Sequence, residues 1–478
     1  MDKEKIYRTL CEICGSENVF TDDDTIEKYS TDMTEHEPRR PDFVVKPVST
    51  EEIVRIVQLA NEVRMPLVPA VARTNLGGLT IPTAGGAVID LNRMNHILEV
   101  NETEMYAIIE PGVTFGIISE YLEKNHPDLI IGYPLAPPWS SVACNCLLDG
   151  LGNLSNRHGA MSEWINGLEV VLPTGEVMRC GSCAVSKVWF ARAPVPDLTG
   201  LFISWQGTTG IITRMAVQLW PKPARRKRMF CLSYDIDTTY TLVRRFARSG
   251  YFDDIGALSW PTGKMLLGVQ YPATERDPDE PEFYLYLDFS GASDEEINLK
   301  SKYVKESLKD VRAKSGEIED PLDINMLLKV NPSFARFAEF PTTLDFLLDH
   351  PGGGLTWVGT YGPTAAWEEG VRSGFAILKG NGFTPIVVTR PMRGGHFAVL
   401  RFIIIFNKKD NSEVARVKTS LRAIAAMALR LGFVPYKAPA WAVELMKAQM
   451  DANYFRTLQA IKNLLDPNHI MNPGKYLL

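Results

Sequence analysis

Apolar positions recur at helical spacing in some blocks of this chain and run continuously or alternate in others, and from residue 43 onward the two patterns interleave. Strands are expected at 43–46, 66–68, 87–91 and 107–110, with an amphipathic helix over 50–64 and another over 117–125. That alternation predicts an α/β subdomain over 40–130. Residues 1–40 read as a short helical lead-in ending in a charged, proline-containing loop at 35–41. A second subdomain, 131–225, is richer in strands and glycine-bearing loops. Two prolines in 219–223 end a strand there, and the basic run 225–228 that follows reads as a solvated linker. Strands at 230–234, 283–287, 354–359 and 397–406 then accompany helices at 238–249, 294–313, 367–380 and 412–431. This predicts an antiparallel sheet covered by helices over 226–430, with a mostly helical tail, 431–478.

With 478 residues there is room for two or three domains, and 45% hydrophobic and 23% charged residues are ordinary for a soluble globular chain. A net charge of −6 argues against a nucleic-acid partner. The charged start of the chain has no apolar signal segment, so a cytoplasmic location is expected. The apolar run 397–406 is too short to span a bilayer and contains Arg401, so it reads as a buried strand. Seven cysteines suggest free thiols in a reducing compartment. Cys11 and Cys14, and Cys180 and Cys183, have the spacing of half a four-thiolate metal site. No histidine accompanies either pair, and ordinary buried thiols with no metal are expected.

The chemistry-bearing pattern begins at Val71. Arg73, Thr74, Asn75, Leu76, Gly77 and Gly78 crowd the turn after the 66–68 strand. Such a turn can present several backbone N–H groups to a pyrophosphate, although it can also be only a tight turn. Three further segments follow in order. One contains Pro137, Trp139, Ser140, Ser141 and Asn145, with Gly150, Gly152 and Gly159 after it. Another is the 167–177 run leading to Gly207, Gly210 and Ile211. The last is 466–475, which contains Asn472.

As an ordered set these four segments resemble the FAD-linked oxidoreductases of the vanillyl-alcohol oxidase / p-cresol methylhydroxylase superfamily. The resemblance implies an α+β chain: a two-subdomain α/β FAD-binding domain over 1–225, an antiparallel-sheet cap with covering helices over 226–430, and a C-terminal segment returning to the FAD domain. It implies FAD with its diphosphate on the 71–79 loop. Ser140, Ser141 and Asn145 would lie by the ribityl chain and flavin edge, Gly207 to Ile211 around the adenosine half, and Asn472 near the isoalloxazine. The segments at 405–410 and 432–437 are similar to the 4-substituted-phenol oxidases. There Lys437 matches an arginine that stabilises the anionic reduced flavin, and Tyr436 a tyrosine that binds the substrate phenolate. Strand alternation alone cannot point both side chains inward. Trp357, Tyr361 and His396 are further candidates to face substrate, with packing as the alternative for each.

The chain also departs from the pattern. Leu76 stands where the phenol oxidases have a tyrosine, and 154–159 carries no aspartate to act beside the flavin. No clean match exists for a covalent flavin tether, so non-covalent FAD is expected, with His350 the candidate exception. The reaction implied is hydride removal from an alcohol-type or benzylic carbon of a small, aromatic molecule, with flavin N5 as acceptor. A 2-hydroxy-acid dehydrogenase is the competing reading and would need a cationic carboxylate binder among Arg390, Arg393 and Arg401. A third is a flavoprotein subunit that passes electrons to a cytochrome or an electron-transfer flavoprotein. A homo-oligomer is expected in each case.

Overall fold

The computed structural model describes residues 2–74, 77–266, 275–315, 318–330, 332 and 350–477. Three sheets carry the architecture. The first has four strands in the order Val19–Phe20, Phe43–Val45, Ala87–Asp90 and Leu67–Ala70. Its last three strands run parallel. The helix Thr50–Val63 makes that crossover; Ser49 caps it, and Ile53, Ile56, Val57 and Ala60 are fully buried beneath it.

The second sheet has five antiparallel strands in the order Ile97–Asn101, Tyr106–Ile109, Ile211–Gln218, Ile165–Val171 and Val177–Gly181. The grouping 40–130 expected from the sequence is therefore divided between two sheets. The chain changes sheets after Asp90, because Tyr106–Ile109 pairs with the distant Ile211–Gln218. Periodicity shows strands but not partners, so this pairing left no local trace.

The third sheet has eight strands, with Arg225–Ser233, Phe283–Gly291, Asp254–Ser259, Ile386–Met392, Phe397–Asn407 and Gly353–Gly362 as its middle six. One face packs on the helices Ile236–Arg248, Asp294–Ser315, Trp367–Gly380 and Asn411–Arg430, forming the largest core of the molecule. Phe402, Ile404 and Phe406 point into that core. On the intervening positions Arg401, Ile403 and Ile405 face the other way, toward the first two sheets. The tail returns: Leu67 pairs with Met471, and the Leu67 N–H donates to the Ile470 carbonyl at 2.7 Å. No described helix is long and apolar enough to cross a membrane.

Two features differ from the sequence reading. The strands Asp254–Ser259 and Ile386–Met392 were not singled out; the first carries Gly256 and the second Pro391, which dilute a strand signal. The basic run is not a solvated linker. It opens the strand Arg225–Ser233, where alternation puts Arg226 and Arg228 on one side of the fully buried Asp288. Arg226 reaches its carboxylate at 2.8 Å and Arg228 at 2.6 Å, and this pairing holds the Asp288 carboxyl below its ordinary pKa against the opposing effect of burial. Cys14, Cys180 and Cys183 are buried free thiols, with burial pushing Cys180 up to about 12.

The Asp288 cluster gives a stability prediction. Asp288→Asn leaves two arginines beside a neutral amide in a buried site, and the expected cost is about 3–5 kcal/mol. Urea unfolding followed by tryptophan fluorescence measures it. An unchanged midpoint would show that the two arginines find water instead.

Candidate active site

A cleft enclosing about 1250 Å³ of empty space, partly open to solvent, lies between the first two sheets. Pro69 to Thr74, Leu79, Thr80 and Leu91 form one wall. Ser140, Ser141, Ala143 to Asn145, Phe202, Gln206, Gly207 and Thr209 to Ile212 contribute to the other. Trp357 of the cap sheet, Lys437 and Asn472 complete the lining.

The residues expected from the sequence divide into two groups. Val71, Arg73, Thr74, Ser140, Ser141, Asn145, Gly207, Gly210, Ile211, Asn472, Trp357 and Lys437 line the cleft. Asn75 and Leu76 lie outside the described residues. Pro137, Trp139, Gly77, Gly78, Gly152 and Gly159 are not among the described lining residues, and Trp139 is exposed. His396 is exposed on the turn before Phe397–Asn407, away from the cleft lining, and His350 does not line it either.

Arg73 anchors its loop rather than offering its charge to the cleft. Its guanidinium donates to the carbonyls of Lys28 and Thr31 and lies 4.5 Å from the Tyr29 ring centroid. Gly78 has φ +62°, and a Cβ there would come within 2.7 Å of the His36 ring, behind the loop. Its lack of a side chain serves the turn and that close contact, not a direct approach to a ligand in the cleft. Ser141 caps the short helix Val142–Leu147 by accepting from the Cys144 N–H and donates to the Pro111 carbonyl at 2.7 Å. Thr74 bonds Ser140 across the cleft at 3.2 Å.

The tail closes the cleft through a buried clamp. Lys462 donates to the Thr208 carbonyl at 2.7 Å, to Asp466 at 2.5 Å and to the Met471 carbonyl at 2.9 Å. Asp466 in turn accepts from the N–H groups of Ile470 and Met471. This fixes Asn472, whose amide donates to the Gln206 carbonyl at 2.7 Å.

At the cap end Lys437 lines the cleft, whereas Tyr436 is buried beside it in a small core cluster with Leu151, Met392 and Val399 and, like Tyr361, is not among the described lining residues. The strand Val434–Pro435 ends there, and Lys437 takes a left-handed φ of 51°, which breaks the alternation that would have sent one side chain outward. Lys437 donates to Asn145 Oδ1 at 3.1 Å, linking the tail to the cleft wall. Burial first, then the nearby Arg401 charge, lowers its pKa to about 7. The Tyr436 ring stacks on Tyr361 at 4.5 Å and lies against Gly359, where a Cβ would be 2.8 Å from it. Tyr361 donates to the Asp149 carbonyl at 2.6 Å. The Arg401 guanidinium donates to the Tyr436 hydroxyl and sits 3.8 Å from the centroid of Trp357.

The unpartnered polar atoms, acceptors for the most part, fit a polar ligand. Thr80 Oγ1, Gln206 Oε1, Asn472 Oδ1 and Arg73 Nε belong to residues that line this cleft, are buried, and have no hydrogen-bond partner. Each such orphan costs about 1–3 kcal/mol unless a ligand or water satisfies it. Gln206 and Thr80 had not been singled out from the sequence; Gln206 adjoins the glycine segment that was.

Comparison with known proteins bears on the identity of that ligand. Residues 41–181 match an FAD binding domain, and residues 222–476 match the C-terminal domain of FAD linked oxidases. The chain is 34% identical over 247 residues to the glycolate oxidase subunit GlcD of Bacillus subtilis (strain 168), covering 51% of this chain and 50% of that one. The chain thus spans about half the length of that relative. It is 31% identical over 219 residues to the 4-cresol dehydrogenase [hydroxylating] flavoprotein subunit of Pseudomonas putida, covering 44% of this chain and 41% of the relative. The crystal structure of p-cresol methylhydroxylase with substrate bound superposes with a TM-score of 0.86 at 20% identity, covering 99% of this chain and 96% of that one, which shows a shared fold. The cleft between the two sheets is thus built on an FAD-binding scaffold, and the chain belongs to the FAD-linked oxidases.

Proposed function

We propose that the protein oxidises an alcohol-type or benzylic carbon of a small aromatic molecule held at the cap end of the cleft beside Trp357 and Lys437, with the stacked Tyr361 and Tyr436 behind them, using non-covalently bound FAD. The observation that carries this reading is the meeting, at one end of the cofactor cleft, of a buried lysine with an aromatic and hydroxyl-bearing wall from the cap. Bound FAD supplies a two-electron acceptor that takes hydride at N5.

In this reading Asn472, Gln206 and Thr80 satisfy their orphaned polar atoms on the cofactor. Lys437 supplies positive charge where negative charge develops on reduction. Tyr436 keeps its phenolic proton, because burial pushes its pKa up, and backs the aromatic wall without lining it. Trp357 excludes water and orients the ring. His350, the one candidate tether in the sequence, is not among the described lining residues, which supports non-covalent attachment. The glycolate oxidase subunit among the relatives favours a second reading, a 2-hydroxy-acid dehydrogenase using the same cleft.

Anaerobic mixing with 4-hydroxybenzyl alcohol, benzyl alcohols, D-lactate and glycolate tests the reaction, with bleaching of the flavin band as readout. Bleaching by the aromatic alcohols is expected; bleaching by the aliphatic hydroxy acids alone would select the second reading. Acid precipitation is expected to release FAD into the supernatant. Yellow colour retained in the pellet would overturn the non-covalent claim.

Lys437→Met keeps most of the volume and removes the charge. Flavin reduction is expected to slow about a hundredfold, ~3 kcal/mol, with FAD retained. A wild-type rate in stopped flow would reduce Lys437 to a packing residue. The same variant has a pH signature in the FAD-free protein. Lys437 titrates at about 7 when folded against an ordinary 10.5. Between those values the unfolded chain holds one more proton, so stability rises with pH across that window. The Met variant is expected to lose that part of the slope in denaturant midpoints measured across the window; identical slopes would contradict it.

A further inference from the structure

The turn that follows the strand Leu67–Ala70 is held from behind by the last residues of the chain. Asn472, Pro473 and Gly474 make a reversal there. Asn472 has a left-handed φ of 38° and Gly474 one of 81°, and a Cβ on Gly474 would come within 3.0 Å of Thr83 Oγ1. Thr83 donates its hydroxyl proton to the Pro473 carbonyl. Proline fixes its own φ and glycine supplies a positive one, so the reversal is built into three consecutive residues. It delivers Lys475 beneath the turn. Lys475 is 7% exposed, and its ammonium donates to the carbonyls of Gly78 at 2.7 Å and Ile81 at 2.9 Å.

The turn has two faces. Leu79 and Thr80 line the cofactor cleft, whereas Gly78 and Ile81, on either side of them, border a separate recess behind the turn together with Lys475. The two carbonyls that Lys475 draws backward thus bracket the two residues that face forward. Thr80 Oγ1 is buried and has no partner among the described residues. Lys475 also differs from the other buried lysine of the tail. Lys462 has the Asp466 carboxylate beside it, whereas both acceptors of Lys475 are backbone carbonyls. A carbonyl dipole solvates an ammonium but does not neutralise it, so the back of the turn stays positive. Burial lowers the Lys475 pKa to about 8, with Asp32 opposing the effect and Arg39 adding to it.

We infer that Lys475 is a positioning residue for the cofactor: by holding the Gly78 and Ile81 carbonyls from behind it sets Leu79 and the Thr80 hydroxyl toward the cleft, and the diphosphate in front of the turn compensates its charge. This rests on the reading that lays the diphosphate of FAD along the 71–79 loop. Lys475 touches neither substrate nor flavin and acts through the turn. Its effect is therefore confined to ligands that carry the diphosphate, and is absent for those that carry only the isoalloxazine end. The charged groups facing the ammonium are Asp32, Glu35, His36, Glu37 and Arg39 from the segment before the first parallel strand, and Lys418 and Arg422 from the helix Asn411–Arg430. Glu37 is paired with Lys418.

The test uses the full-length protein stripped of flavin, with FAD, ADP-ribose and riboflavin as separate ligands and calorimetry for Kd. Lys475→Met is expected to weaken FAD and ADP-ribose about tenfold or more and to leave riboflavin within about twofold. Lys475→Arg is expected to recover part of the loss, because it keeps the charge and can reach two carbonyls. Gly78→Ala, which puts a methyl 2.7 Å from the His36 ring at a φ of +62°, deforms the same turn without changing its charge. If Gly78→Ala weakens the two diphosphate ligands and Lys475→Met does not, the proposal is overturned and the diphosphate stays on the loop. A riboflavin loss equal to the FAD loss in Lys475→Met also overturns it, since Lys475 would then support the fold and not the turn. If Gly78→Ala leaves both diphosphate ligands unchanged, the diphosphate lies elsewhere and the proposal falls with that reading. The wild-type protein carries the decision should Lys475→Met not fold. Only the charged ammonium holds the turn in its binding shape, so ADP-ribose, whose diphosphate does not titrate there, is expected to bind about tenfold more weakly as pH rises from about one unit below to about one unit above a pKa of about 8. A flat wild-type profile across that window overturns the proposal.

Discussion

The buried Lys462–Asp466 pair is the joint on which the cleft depends. One ammonium holds the carbonyl of Thr208 in the loop between the second sheet and the cleft, the carbonyl of Met471 in the tail, and the carboxylate that orders the tail's turn. Burial lowers the pKa of Lys462, and Asp466 pulls in the opposite direction. Every acceptor around the ammonium is satisfied geometrically, so the pair meets the condition under which a buried charge is tolerated. It acts together with the Leu67–Met471 pairing, which lays the tail along the first sheet and places Asn472 beside Gln206.

The substrate end shows the opposite arrangement. Arg390 beside Asp254 is a closed structural pair, whereas Arg401 and Lys437 are cations held by neutral groups. The Trp357–Arg401–Tyr436–Tyr361 stack orients the uncompensated cation without neutralising it.

The cofactor half of this was legible in the chain because its devices are local. A glycine-bearing turn, a serine that caps a helix and an asparagine near the end each leave a mark in a few consecutive residues, and Ser141, Gly207 and Asn472 do line the cleft. The helix-covered cap sheet was legible from the apolar run 397–406 and the long amphipathic helices around it. What depends on pairing was not. Arg226 and Arg228 read as solvent-exposed until Asp288 is brought opposite them by a strand some sixty positions away. The burial of both Tyr436 and Lys437 needs a left-handed backbone that no side-chain pattern announces. Gly78 invited a phosphate-loop explanation, and only the position of His36 shows which side of the loop the missing Cβ would occupy.

Gly359 ties the cap to the tail in a way that bears on how the molecule is made. The Tyr436 ring occupies the space of the absent side chain, so this part of the cap is completed only by a segment nearly eighty positions later. A ribosome that has delivered all of the FAD-binding scaffold and most of the cap has still not delivered Tyr436, Lys437 or Asn472. The emerging chain must keep the apolar edge of Gly353–Gly362 and the open cleft from sticking elsewhere until that later segment has been made. Tight cofactor capture must wait for the same segment.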